Sequence, residues 1–215
     1  MTSSDSYLLE KITFYKTRSA LREFEIRTNS DSIFVNLNYL AELSEYFYVL
    51  RTGSYTENSS QKLVLDDVFT EELVQFLIYV CPDGFRFNRK INEQNILSLI
   101  FLSDRLMFPW VKEEVLNYLK NEEFQNAPYD TELLIQLCYL LNSQFNEPTE
   151  IDPVFQKIAN LTNQESVDEI LESIPDSDIK SYMLKRIKDF RPYTCKPRPQ
   201  IFFNWDDNFS HLYDD

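Results

Sequence analysis

The sequence predicts an α+β fold in two parts: a largely helical N-terminal domain with a small three-stranded sheet, followed by an all-α helical extension. Three observations carry this. Short strand-like runs at residues 21–27, 33–35 and 63–65 all fall early in the chain. From Leu40 onward, apolar residues recur three and four apart in blocks separated by Asp, Asn and Pro. With 43% hydrophobic and 15% aromatic residues in a chain of 215, there is ample material for a packed core.

Residues 1–18 hold Leu8, Leu9, Ile12, Phe14 and Tyr15 without boundary signals and are expected to form a partly ordered arm. From Ser19, Leu21, Phe24 and Ile26 interleave with Arg22, Glu23, Glu25 and Arg27, the alternation of a half-buried strand. The Thr28-Asn29-Ser30-Asp31 cluster has turn chemistry, so Ile33, Phe34 and Val35 return as the second strand of a hairpin. Asn36 and Asn38 suit the start of a helix, read as continuous from Tyr39 to Arg51, with Leu40, Leu43, Phe47 and Leu50 on one face. It must stop near Gly53, one of only two glycines, where a left-handed closing residue is expected. Residues 58–62 read as a loop, and Leu63-Val64-Leu65 as a third strand stopped by Asp66-Asp67.

Thr70 opens a helix with Leu73, Phe76, Leu77 and Val80 on one face and Glu71 and Glu72 in its first turn, where the helix dipole favours negative charge. Pro82-Asp83-Gly84 ends it. Asn92 can cap a nearly fully buried helix bearing Ile96, Leu97, Leu99, Ile100 and Leu102. Phe108-Pro109-Trp110 marks a break with proline at the first position of the next helix, whose stripe is Val111, Val115 and Leu119. Residues 121–129, with Pro128, read as a boundary. Beyond it four short antiparallel helices are predicted. Asp130 caps Leu133, Leu134, Leu137, Leu140 and Leu141; Asp152-Pro153 starts Phe155, Ile158 and Ala159; Thr162 and Glu165 have capping-box spacing before Val167, Ile170 and Leu171; and Ser177 precedes Ile179, Met183 and Ile187, ended by Arg191-Pro192.

The series Leu40, Ala41, Ser44, Phe47, Leu50, Gly53 and Tyr55-Thr56-Glu57, then Leu65-Asp66-Asp67-Val68, Phe76-Leu77-x-Tyr79 and Leu99-x-x-Leu102-Ser103-Asp104-Arg105, resembles the BTB/POZ domain family in order and spacing. The likeness covers residues 19–121 and is to the compact, divergent members expanded in nematodes. Residues 128–191 resemble the BACK-type extension in position and helical character, which leaves residues 1–18 as an N-terminal arm and residues 192–215 as an acidic-aromatic tail.

The resemblance implies a protein-protein interaction adaptor, a substrate-recognition subunit of a cullin-RING ubiquitin ligase of the third cullin class. Its cullin-type surface would be Tyr48, Arg51, Tyr55, Thr56 and Glu57, with Tyr55 an aromatic anchor and Glu57 hydrogen-bonding at its edge. The blander alternative packs Tyr55 on its own helix and uses Glu57 to cap the loop. The alternative function is a non-degradative BTB scaffold or transcription-related protein acting by self-association or peptide binding. A homodimer, or a heterodimer with another BTB protein, normally uses an acidic residue before the first strand and a basic one near the organising helix. Here Ala20 and Leu37 stand at those positions, so the charged pair is missing, although Leu37 offers an apolar self-contact. No MATH, Kelch or zinc-finger module is recognisable, and the protein substrate, held by the helical half or the tail, is unknown.

Other function classes have little material. A net charge of −14 argues against a phosphate-binding surface, and Lys185, Arg186 and Lys188 read as a solvated helix face, so no nucleic acid is expected. Cys81, Cys138 and Cys195 lie more than fifty residues apart, without metal or disulfide spacing. No run of 18 apolar residues and no secretory leader are present, so no membrane and a cytoplasmic or nuclear location are expected. The sole histidine is His211, neither glycine lies in a phosphate loop, and pairs such as Asp66-Asp67 follow from having 35 acids. No enzyme, cofactor or metal is predicted. In the tail, Ile201, Phe202, Phe203, Trp205 and Phe209 are too dense to stay in water without a use, so they either dock back on the helical extension or bind a partner.

Overall fold

In the computed structural model, which describes residues 3–82, 89–144, 148–161, 171–172, 174 and 177–190, the sheet forms where alternation predicts it. β1 (Phe24–Arg27) pairs antiparallel with β2 (Ser32–Val35), Ile26 opposite Ile33. It pairs parallel with β3 (Lys62–Val64), Ile26 opposite Leu63, in the order β2-β1-β3. Phe24, Ile26, Ile33, Val35 and Leu63 are buried. The first strand starts later than the alternation suggests: Leu21 is exposed, and a tight turn joins Ser19 and Arg22 through reciprocal backbone hydrogen bonds. The hairpin turn closes from Thr28 N–H to Asp31 O at 2.8 Å. The Thr28 and Ser30 hydroxyls also lie 2.6 and 3.0 Å from that of Thr70, the first residue of a later helix.

The N-terminal segment is a helix rather than a partly ordered arm. α1 (Ser3–Lys16) lies against β2 and the helix that begins at Thr70, with Ile12 and Tyr15 buried. Lys16 pairs with Asp31 at 2.8 Å, and the Arg22 guanidinium lies 3.5 Å from the Phe14 ring centre. Leu8, Ile12 and Tyr15 share one face of α1 and pack on the core, while Leu9 and Phe14 lie exposed off that face and blur the stripe in the sequence.

The helix predicted from Tyr39 to Arg51 is two helices. α2 (Leu37–Leu43) ends at Ser44, whose extended backbone (φ −140°, ψ 128°) starts α3 (Glu45–Thr52). Leu40, Phe47 and Leu50 are buried as predicted, Leu43 partly so, and Asn36 caps α2 by accepting from Tyr39 N–H. Of residues 58–62, read as a loop, the first three belong to a short helix, α4 (Thr56–Ser60), and Lys62 already starts β3. The left-handed residue that closes α4 is Gln61 (φ 54°) and not a glycine.

α5 (Thr70–Val80), α6 (Ile96–Arg105) and α7 (Pro109–Leu119) match the predicted blocks. α6 is nearly surrounded: Ile96, Ser98, Leu99, Ile100, Leu102 and Ser103 are buried, and α5, α7 and the first helix of the extension pack against it. Phe108, with no exposed surface, meets Phe76 and Phe47 edge-on at 5.1 and 6.1 Å, tying the start of α7 to α5 and α3.

The predicted boundary at 121–129 holds a short helix, α8 (Glu122–Asn126), with Phe124 buried between Tyr118 and Tyr129. α9 (Thr131–Gln144), capped by Asp130 accepting from Leu133 N–H at 2.7 Å, lies on α6. A 3-10 turn (Pro148–Ile151) leads into α10 (Asp152–Leu161), which packs on α9 and on α11 (Ser177–Phe190). Within the basic run, Arg186 pairs with Asp152 and Asp189. Val167, Ile170, Cys195, His211 and the tail residues Ile201, Phe202, Phe203, Trp205 and Phe209 lie outside the described residues.

Lys157 of α10 joins the two halves. Its side chain is buried, and its ammonium donates to the carbonyls of Phe124, Gln125 and Ala127, each at 2.8 Å. It thereby adds a charged donor to three carbonyls at the carboxyl end of α8, two of which also accept backbone N–H groups, Phe124 from Ala127 at 3.3 Å and Ala127 from Tyr129 at 2.9 Å. Lys157→Met keeps the stem but removes those donors, and is expected to lower the unfolding free energy by about 2 kcal/mol. Urea denaturation checks this; an unchanged midpoint would mean that the tie adds nothing.

Candidate functional site

The region predicted to face a partner is built on Ser44. Its hydroxyl accepts the Phe47 N–H at 3.2 Å, capping α3, and donates at 2.5 Å to the Leu106 carbonyl, 62 residues away. A helix start is thus fastened to the end of α6. There the Phe108 N–H reaches back to Ser103 O at 2.7 Å while Met107 adopts φ 53°, the left-handed turn that closes many helices and usually takes glycine. The turn drives Phe108 into the core and leaves Met107 44% exposed.

Two grooves flank Met107. One, of about 330 Å³, is lined by Glu45, Tyr46, Val49, Leu50, Tyr55, Glu57 and Met107. The other, about 720 Å³, includes Leu43, Glu45, Tyr48, Asp104, Met107 and Lys112. Glu45 and Met107 line both. Tyr48 and Tyr55 are 57% and 51% exposed and Val49 is exposed as well, so large apolar side chains stand at both grooves: Val49, Tyr55 and Met107 at the smaller, Tyr48 and Met107 at the larger.

Gly53 has a different role from the one predicted. Its backbone is extended (φ −80°, ψ 167°), so no left-handed conformation requires glycine. Space does: a Cβ there would lie 2.8 Å from the Val49 carbonyl oxygen and 2.6 Å from Tyr55 Cδ2. The Tyr55 ring therefore rests on the bare α-carbon of Gly53, with half its surface in solvent. The Asn58 amide donates to the carbonyls of Arg51 and Gly53 at 3.0 and 3.1 Å, closing the end of α3 and fixing the Tyr55 loop.

The structure brings Tyr48, Tyr55 and Glu57 to the grooves but not Arg51 or Thr56. Arg51 Nε donates to Asn38 at 2.8 Å, bracing α3 against α2, and Thr56 is an exposed first residue of α4. Glu57 is half-buried, and its carboxylate meets no donor among the described residues, so it does not cap the loop. Burial raises the Tyr46 phenol pKa and the nearby Glu57 charge adds to that, opposed by Arg105. Leu37, considered for self-contact, is buried in this chain's own core, whereas Ala20 is exposed. Sequence reasoning missed Val49 and Met107. The signal for Met107 was an apolar residue off the stripe that Leu99, Leu102 and Leu106 continue.

Among the described residues no group of three or more His, Cys, Asp or Glu is placed to hold a metal ion. Burial raises the thiol pKa of Cys81, to about 12, and of Cys138, away from the reactive thiolate. No helix of the described residues is long and apolar enough to cross a membrane.

Comparison with known proteins agrees with the sequence motifs. The BTB/POZ domain model matches residues 16–123. BTB and MATH domain-containing protein 38 of Caenorhabditis elegans is 27% identical over 115 residues, 53% of this chain and 28% of that protein. BTB and MATH domain-containing protein 36 of the same organism is 25% identical over 107 residues, 50% of this chain and 32% of that protein. The match thus spans less than a third of each relative.

The left-handed Met107 yields a direct test. Met107→Gly and Met107→Ala both remove the side chain, but only glycine relieves the backbone, so the glycine variant should be more stable by about 1 kcal/mol. Thermal melting compares them; equal midpoints would show that the turn does not demand the left-handed conformation.

Proposed function

Because the chain belongs to the BTB/POZ domain family, whose members are generally non-enzymatic protein-interaction adaptors, we propose that it is a substrate-recognition subunit of a cullin-RING ubiquitin ligase of the third cullin class. Its N-terminal half docks on the cullin scaffold, and its helical half carries the protein to be modified.

The observation that supports this reading is the exposed apolar cluster of Val49, Tyr55 and Met107 round the groove beside the free Glu57 carboxylate, with Tyr48 exposed at the adjoining groove that shares Met107. Exposed aromatic and methionine side chains over a depression are the composition of an interface centre. Tyr55 inserts its outer face into an apolar pocket of the cullin, while Glu57 accepts a hydrogen bond at the edge. The contact with Gly53 holds the ring in place before binding, so less side-chain entropy is lost on docking. Tyr48 extends the contact along α3, and Arg51 and Thr56 form its outer margin.

Both central residues are accessible enough to change without opening the core. Tyr55→Ala combined with Glu57→Ala should weaken binding to a purified cullin N-terminal domain by about 30-fold or more, the equivalent of about 2 kcal/mol, with the fold unchanged by circular dichroism. Copurification and titration read this. If the wild-type chain retains no cullin, or the double variant binds as well as wild type, the adaptor reading through this surface fails and a non-degradative scaffold takes its place.

A further inference from the structure

A third groove, of about 480 Å³, lies between the first domain and the extension, away from the residues assigned to the cullin. Its walls include Phe69, Leu97 and Phe101 from the α5–α6 side and Ile135, Tyr139 and Leu140 from α9. Phe69, just before α5, is 56% exposed, an uneconomical position for a phenylalanine unless something covers it. Three carboxylates, those of Asp67, Glu72 and Glu132, border the groove, and no Lys or Arg is among the described lining residues. Arg105 neutralises Asp67. Glu72 accepts the Phe69 N–H at 3.1 Å and Glu132 the Gln136 amide at 3.4 Å; neither meets a cation among the described residues.

The chain itself contains a segment of matching chemistry. Past Phe190, the last residue of α11, come Arg191, Lys196 and Arg198, then Ile201, Phe202, Phe203 and Trp205, and only then Asp206, Asp207, Asp214 and Asp215. Basic residues thus precede the apolar cluster and acidic ones follow it. Reach is sufficient. Ile174, shortly before α11, lines the groove. The 14 residues of α11 carry the chain about 21 Å from its own start. Ten residues, 191–200, span roughly 33–36 Å when extended, more than that return requires.

We propose that this groove holds the chain's own C-terminal segment, with Ile201, Phe202, Phe203 and Trp205 against Phe69, Phe101 and Tyr139, and with Lys196 and Arg198 at Glu72 and Glu132. Tethering gives the segment an effective concentration that a separate peptide of the same sequence lacks. The tail is then part of the folded adaptor and covers the seam between α6 and α9. This inference does not depend on cullin binding.

Trp205 reports on it in the full chain. With Trp110→Phe leaving Trp205 as the sole tryptophan, its acrylamide quenching should be about threefold or more below that of the free peptide 196–215, as expected for near-complete tethered occupancy. Phe69→Ser with Glu132→Lys, both at accessible positions, should bring quenching up to the peptide's value. If Trp110→Phe disturbs the fold, the difference between the native chain and Trp205→Phe supplies the same quantity. Quenching equal to that of the free peptide would overturn the proposal in favour of a solvent-facing or partner-binding tail. Shielding that the groove variant leaves unchanged would overturn it in favour of docking elsewhere.

Discussion

The Ser44 side chain makes two bonds, one to Phe47 N–H and one to the Leu106 carbonyl, and the partner-facing surface depends on both. The first breaks what would otherwise be one helix and restarts it at a new angle. The second fastens that restart to the end of α6. Phe108 locks the joint from below by packing on Phe47 and Phe76. With these groups fixed, Met107 has nowhere to go but outward, and Tyr48, Val49 and Tyr55 are arrayed along the same edge. A buried hydrogen bond between distant segments, whose loss leaves a carbonyl without a partner, is well suited to fix such a joint.

α6 connects the two halves of the molecule. Its carboxyl end supplies Ser103 and Asp104 to the groove beside Tyr48, and its earlier residues Leu97, Ser98 and Phe101 form the wall that faces α9. Because it is buried on most sides, the extension is joined to the first domain by packing as well as by the Lys157 contacts at α8. In the proposed adaptor, this packing gives a cargo on the helical half a defined position relative to a scaffold at α3.

Much of this was legible in the residues. The i, i+3, i+4 spacing of Leu73, Phe76, Leu77 and Val80, proline at the first position of α7, and the turn cluster at 28–31 each state their structure locally. What was not legible depended on distant partners. The spacing alone makes Ser44 a helical position, because its second bond lies 62 residues away. In α1 the short stripe of Leu8, Ile12 and Tyr15 is masked by the exposed Leu9 and Phe14, and the helix forms against β2 and α5. The sequence suggests a backbone reason for Gly53, whereas the structure gives a steric one, the Tyr55 ring lying over it. Within the candidate site, Tyr48, Tyr55 and Glu57 were identified from motif position, whereas Val49 and Met107 were missed because exposure at a joint between helices is a tertiary property.

The central claim is that a cullin scaffold docks on the edge formed by α3, the Tyr55 loop and the α6–α7 turn. Hydrogen–deuterium exchange of the full chain, with and without a purified cullin N-terminal domain, tests it most directly. Slowed exchange confined to residues 45–58 and 103–112, with α9–α11 unchanged, is the predicted footprint. No protection, or protection confined to the helical extension, would contradict it.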